Sequence, residues 1–169
     1  TLTFQPSEDD VLKMRRAFAT MFAGNEDGRK ADLCSDALVL YGGLLPHRII
    51  VYIGTGGDGK SLRTLLRKTT FEGAHIFLSP SCFNIPEEFR KHAGQVAHMG
   101  IVTIQECLGG SPLLKDIFKK WVSGDLIETR PNYGVETVYY PWDRCSKFWE
   151  MNFILPCIHG DPSKPESLE

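Results

Sequence analysis

The chain has 169 residues, of which 42% are hydrophobic, enough for one globular domain with a sizeable core. A formal net charge of −2 excludes an overall basic field, so any contact with nucleic acid needs a local patch or a ring of subunits. The five cysteines are scattered, odd in number and without a C-x-x-C pair, which argues against a disulfide framework or a zinc site, and no apolar run is long enough for a membrane span or shaped like a signal peptide. An intracellular, non-secreted protein is expected.

In chain order, Ser7 caps a predicted helix running through Val11–Phe22 and stopping near Gly24 and Asn25, and a second short helix is predicted over Ala31–Tyr41, before Gly42 and Gly43. Together residues 1–43 read as a helical lid or collar. The apolar segment Ile49–Ile53 reads as a strand, and Leu62–Lys68 as the start of a helix. Further strands are expected at Ala74–Leu78 and Gly100–Glu106, and helices at Pro86–Ala93 and from about Leu113 to Val122. Strands alternating with helices predict an α/β fold with a mostly parallel central sheet and flanking helices. Beyond Gly124, the segments Leu126–Thr129 and Glu136–Tyr140 flank an Asn-Tyr-Gly bend and predict an inserted β-hairpin, followed by a last strand, Ser146–Met151, ending at Asn152. Residues 44–156 form the expected core, and residues 157–169 read as a polar tail, as if the chain were a piece of something longer.

Between the first strand and its helix lies Gly54, Thr55, Gly56, Gly57, Asp58, Gly59, Lys60 and Ser61, which fits the phosphate-binding pattern G-x-x-x-x-G-K-[ST] in its strand-to-helix context. Glycines let the backbone wrap a triphosphate with its N–H groups inward. Lys60 is then placed to reach the β- and γ-phosphates and Ser61 to ligate Mg²⁺, and Leu62 completes the run expected to bind the nucleotide. Glu106 closes an apolar strand of the same sheet, where a carboxylate can orient and deprotonate an attacking water and stand beside the metal. Gln105 occupies the place where many such enzymes carry a Mg²⁺-side aspartate, which leaves metal handling to Ser61 and Glu106. The amide of Asn152 can donate and accept at once, between the γ-phosphate and the lytic water.

In this order the phosphate loop, the strand-end Glu106, the segment from Phe118 through Lys119, Gly124, Asp125, Arg130 and Tyr133 to Gly134, and the strand ending at Asn152 resemble superfamily 3 helicases. The likeness is nearest to the helicase domain of poxvirus- and phage-type primase-helicases and covers about residues 49–156. Asp58 departs from the Asn usual there, the run from Asn152 to Pro156 is one residue longer, and no arginine follows Arg144 to serve as the downstream arginine finger.

The resemblance implies an AAA+ P-loop ATPase that takes ATP and Mg²⁺, assembles as a homo-oligomeric, hexameric ring and translocates on single-stranded nucleic acid, with DNA favoured over RNA, during replication of a viral or mobile-element genome. It implies Lys60, Ser61 and Glu106 as phosphate clamp, Mg²⁺ ligand and catalytic base, Asn152 as sensor, and Lys119 as a cation reaching the neighbouring subunit's nucleotide. The hairpin residues Arg130, Asn132 and Tyr133 become the element that contacts nucleic acid. A P-loop kinase and an ATP-binding assembly or packaging module are the competing readings.

Overall fold

The computed structural model describes residues 5–41, 47–54, 56–106, 113–129, 137–141, 145–152 and 158–159. Four strands, β1 (Ile50–Ile53), β2 (His75–Leu78), β3 (Ile101–Gln105) and β7 (Ser146–Met151), form a wholly parallel sheet in the order β1-β7-β3-β2. β7, the last of them in sequence, thus lies between β1 and β3. Its register pairs Glu150 with Tyr52 on one side and with Gln105 on the other. All six residues of β7 are buried, as expected for a parallel strand covered on both faces.

Alternation along the strands sorts the side chains into two layers. One face carries Leu78, Val102, Ile104, Trp149 and Met151, and packs against a 3-10 turn (Pro80–Phe83), α4 (Pro86–Val96) and α5 (Lys115–Ser123). Its centre is aromatic: Phe83 lies 4.8 Å from Trp121 and 5.7 Å from Trp149, ring to ring. The opposite face carries Tyr52, Ile101 and Phe148 and is covered by α3 (Lys60–Thr70), whose Arg67 guanidinium lies 3.7 Å over the Phe148 ring. This is the expected α/β architecture, a parallel central sheet with flanking helices.

Several expected boundaries move. The first helix, α1, spans Glu8–Met21 and is closed by a reciprocal Ser7–Asp10 capping box. The second, α2, spans Glu26–Leu40 instead of starting at Ala31, because the Asn25 side chain accepts from the Gly28 N–H at 2.8 Å and acidic Glu26 and Asp27 complete the first turn. Leu113 and Leu114 are not helical: they form β4, which pairs in parallel with β8 (Ile158–His159), so two residues assigned to a polar tail are strand. The hairpin strands are β5 (Leu126–Thr129) and β6 (Val138–Pro141), antiparallel as expected, while its bend lies outside the described residues. No helix among the described residues is long and apolar enough to cross a membrane.

The N-terminal helices are held to α3 by a buried charge network. Arg63 and Arg67, one turn apart, face Asp32 and Asp36, one turn apart on α2: Arg63 Nε donates to Asp32 at 2.7 Å, Arg67 Nε donates to Asp36 at 2.9 Å, and each arginine also reaches the other carboxylate through its second nitrogen. The Tyr52 hydroxyl donates to Asp32 and accepts from Arg67, and burial holds that phenol in its neutral form, its pKa raised well above the usual range. Removing one member strands a buried charge, which costs about 3–5 kcal/mol. Arg67→Ala is therefore expected to lower the unfolding free energy by about that amount, whereas Arg67→Met combined with Asp32→Asn, leaving the neutral Arg63–Asp36 pair, recovers most of it; urea unfolding of the two variants checks this.

Candidate functional site

The glycine-rich loop follows β1 directly. Gly56, Gly57 and Gly59 all take left-handed backbone angles, with φ of 95°, 69° and 87°, a region that side-chain-bearing residues avoid. Gly59 caps α3, so Lys60 and Ser61 begin the helix and its free N–H groups face the loop. Thr55 lies outside the described residues.

Strand order brings the other predicted groups to the same edge. The Gly54 N–H donates to the Met151 carbonyl at 3.2 Å and the Glu106 N–H donates to the Glu150 carbonyl at 2.9 Å, so the ends of β1 and β3 are both tied to the end of β7. Asn152 Nδ2 donates to Glu106 Oε1 at 2.5 Å. Glu106 itself has a φ of 59°, an uncommon conformation for a residue with a side chain, and such backbone strain concentrates at functional sites. A cavity of about 480 Å³ is lined by the loop from Gly56 to Leu62 together with Gln105, Glu106, Glu150 and Asn152. Lys60, Ser61, Glu106 and Asn152 therefore share one space.

A second cavity, of about 350 Å³, lies on the other side of the loop, between β1 and the N-terminal helices. Met21, Phe22 and Asn25 line it with Asp58, Gly59 and Lys60, so the three loop residues separate the two spaces. Met21 approaches so closely that a Cβ at Gly59 would come within 3.0 Å of its Cγ.

Asp58 occupies the loop interior. Lys60 Nζ donates to both of its carboxylate oxygens at 2.7 Å, and a Cβ on Gly54 would fall 1.5 Å from Asp58 Oδ2. This hydrogen bond to the ammonium holds the Asp58 carboxyl below its usual pKa. Asp58 thus sets an anion against the lysine.

Lys119 is exposed on α5 and lines neither cavity. Arg130, Asn132 and Tyr133 lie outside the described residues. Sequence alone singles out neither Glu150 nor the aspartates of α2. Glu150 is 4% exposed on β7, with its Oε2 accepting from Gln105 Nε2 at 3.3 Å and its Oε1 buried without a partner, and burial pushes its pKa up. The available signal was an acid inside a strand two residues before Asn152, hence on the same face.

No family model matches the sequence, and no curated protein sequence matches it. Among solved structures, the chain is similar to apo forms of the NrS-1 C-terminal region. One matches with a TM-score of 0.66 at 16% identity and another with 0.67 at 15% identity, each match covering 89% of this chain and 35% of that one. The chain spans about a third of the length of these structures, and the likeness is one of fold alone.

If the loop takes a triphosphate, as its sequence predicts, the ligand has to separate Asp58 from Lys60. Asp58→Asn is therefore expected to bind ATP about ten-fold more tightly, a difference of about 1.4 kcal/mol, in a calorimetric titration beside the parent chain. Equal affinities would mean that the carboxylate leaves the loop at no cost.

Proposed function

We propose that this chain is the ATPase core of an AAA+ ring helicase of the superfamily 3 type, hydrolysing ATP with Mg²⁺ to move along and unwind nucleic acid in viral or mobile-element replication. The observation that carries the reading is the edge formed by β1, β7 and β3, where the phosphate loop, Asn152 and Glu106 line one cavity and Asn152 donates to Glu106 at 2.5 Å. The adjoining cavity beside Asp58, Gly59 and Lys60 supports a whole nucleotide over a free phosphate, because its size suits a base and it opens next to where the phosphates would lie.

In this reading the N–H groups at the start of α3 and the Lys60 ammonium hold the terminal phosphates, and the Glu106 carboxylate takes the proton of the attacking water. Asn152 fixes Glu106 by holding its Oε1, which leaves the other oxygen for the water. The hydroxyl of Ser61 is a hard oxygen ligand that suits Mg²⁺, an ion that takes its remaining ligands from carboxylate, phosphate and water. Mg²⁺, when bound, offsets phosphate charge as the bond breaks. Phosphoryl transfer needs positioning and charge more than covalent help, and a cation from the next subunit is worth about 10³–10⁵ in rate. Lys119, exposed on α5, is available for that role.

Steady-state hydrolysis with and without single-stranded DNA tests the proposal. The parent chain is expected to hydrolyse ATP with turnover per subunit rising as concentration increases and as DNA is added. Glu106→Gln is expected to bind ATP and lose turnover by about 10² or more, the scale of general-base catalysis. Transfer of phosphate to a small acceptor, or parental turnover in Glu106→Gln, would contradict it.

A further inference from the structure

Position 105 holds Gln, so the carboxylate expected on the Mg²⁺ side of a phosphate-loop site is missing from β3. The neighbouring strand provides one. Glu150 stands directly beside Gln105 in the β3–β7 register and beside Tyr52 in the β1–β7 register, one strand nearer to the phosphate loop. With Asn152 it faces the layer covered by α3, the helix that begins with Lys60 and Ser61. It lines the same cavity as Ser61, Glu106 and Asn152.

Arg67 and Lys60 lie within electrostatic reach of it, but one of its oxygens has no hydrogen-bond partner. Gln105 Nε2 donates to Oε2, while Oε1 is buried with no partner, and the residue is 4% exposed. A buried polar atom without a partner is costly, and a carboxylate oxygen in that position is matched by a cation. Hard divalent cations with oxygen ligands, and Mg²⁺ in particular when bound through one or two carboxylates and substrate phosphates, fit this donor set. Glu106 is placed differently: it is exposed at the strand end with its Oε1 taken by Asn152.

We propose that Glu150 supplies the Mg²⁺-side carboxylate of the nucleotide site, replacing from β7 the aspartate that β3 lacks, while Glu106 serves the water. The inference rests on the nucleotide-site reading above. The longer Glu side chain on the nearer strand takes the part of an Asp on the farther one, and the Gln105 amide orients it through Oε2.

The test is the coupling between Mg²⁺ and ATP in equilibrium binding to the full chain, measured by calorimetry with ATP in EDTA and across a Mg²⁺ titration. The parent is expected to bind ATP more tightly with Mg²⁺. Glu150→Gln is expected to bind ATP in EDTA at least as well as the parent and to need about 10- to 100-fold more Mg²⁺ for the same gain, the loss typical when a metal site is degraded. Glu150→Gln combined with Gln105→Asp returns a carboxylate to the register pair, is expected to recover the coupling, and reports on the assignment even if the single variant does not fold. Unchanged coupling in Glu150→Gln, or a folded double variant without coupling, overturns the role of Glu150 alone. A parent chain that binds ATP under neither condition overturns the nucleotide-site reading and this one together.

Discussion

The placement of β7 between β1 and β3 is the constraint on which the candidate site depends. Hydrogen bonds from Gly54 to the Met151 carbonyl and from Glu106 to the Glu150 carbonyl fasten both neighbouring strand ends to this one strand. Side chains from segments far apart in sequence, Lys60, Glu106, Glu150 and Asn152, therefore border one cavity. Because β7 is buried along its whole length, its register is fixed by packing, and a one-residue slip would turn Glu150 and Asn152 to the aromatic face. Trp149 and Met151, which fill that face, hold the polar pair in place.

A second constraint links the N-terminal helices to the loop. The two arginines of α3 and the two aspartates of α2 balance in charge; Arg63, Arg67 and Asp32 are buried and Asp36 partly so, with Phe148 and Tyr52 stacked on Arg67. Arg63 also lies 5.0 Å from the Phe18 ring of α1. Buried ion pairs of this kind contribute geometric specificity more dependably than net stability. Here they aim α3, and its N-terminus with Lys60, against a cavity whose other wall is α1 and α2.

Much of the fold was legible because its signals are local. The Gly-rich loop, the Pro86 helix start, the apolar runs of β1, β3 and β7 and the Gly124 helix stop each carry their own chemistry, and the structure places them within a few residues of expectation. Asn25, with Gly24, reads in sequence as the stop of the first helix, and its second role as the cap of α2 shows only in the contact with Gly28. The β4–β8 pairing could not be read from Leu113–Leu114, since two apolar residues before an amphipathic helix look the same in either state and their partner lies far along the chain. Lys60, Glu106 and Asn152 were visible as strand and loop ends. Glu150 was not, because its meaning comes from Gln105 across the register and not from its own neighbours in sequence.

The central claim is that the loop around Lys60 holds the phosphates of a nucleotide. Its most direct test is equilibrium binding of ATP with Mg²⁺ to the parent chain and to Lys60→Ala, with circular dichroism and thermal melting to confirm that both are folded. Lys60 lies outside both core clusters, so its removal should leave the fold unchanged. The account predicts saturable binding by the parent and a loss of about ten-fold or more in affinity for the variant. Equal binding by a folded Lys60→Ala chain would contradict it.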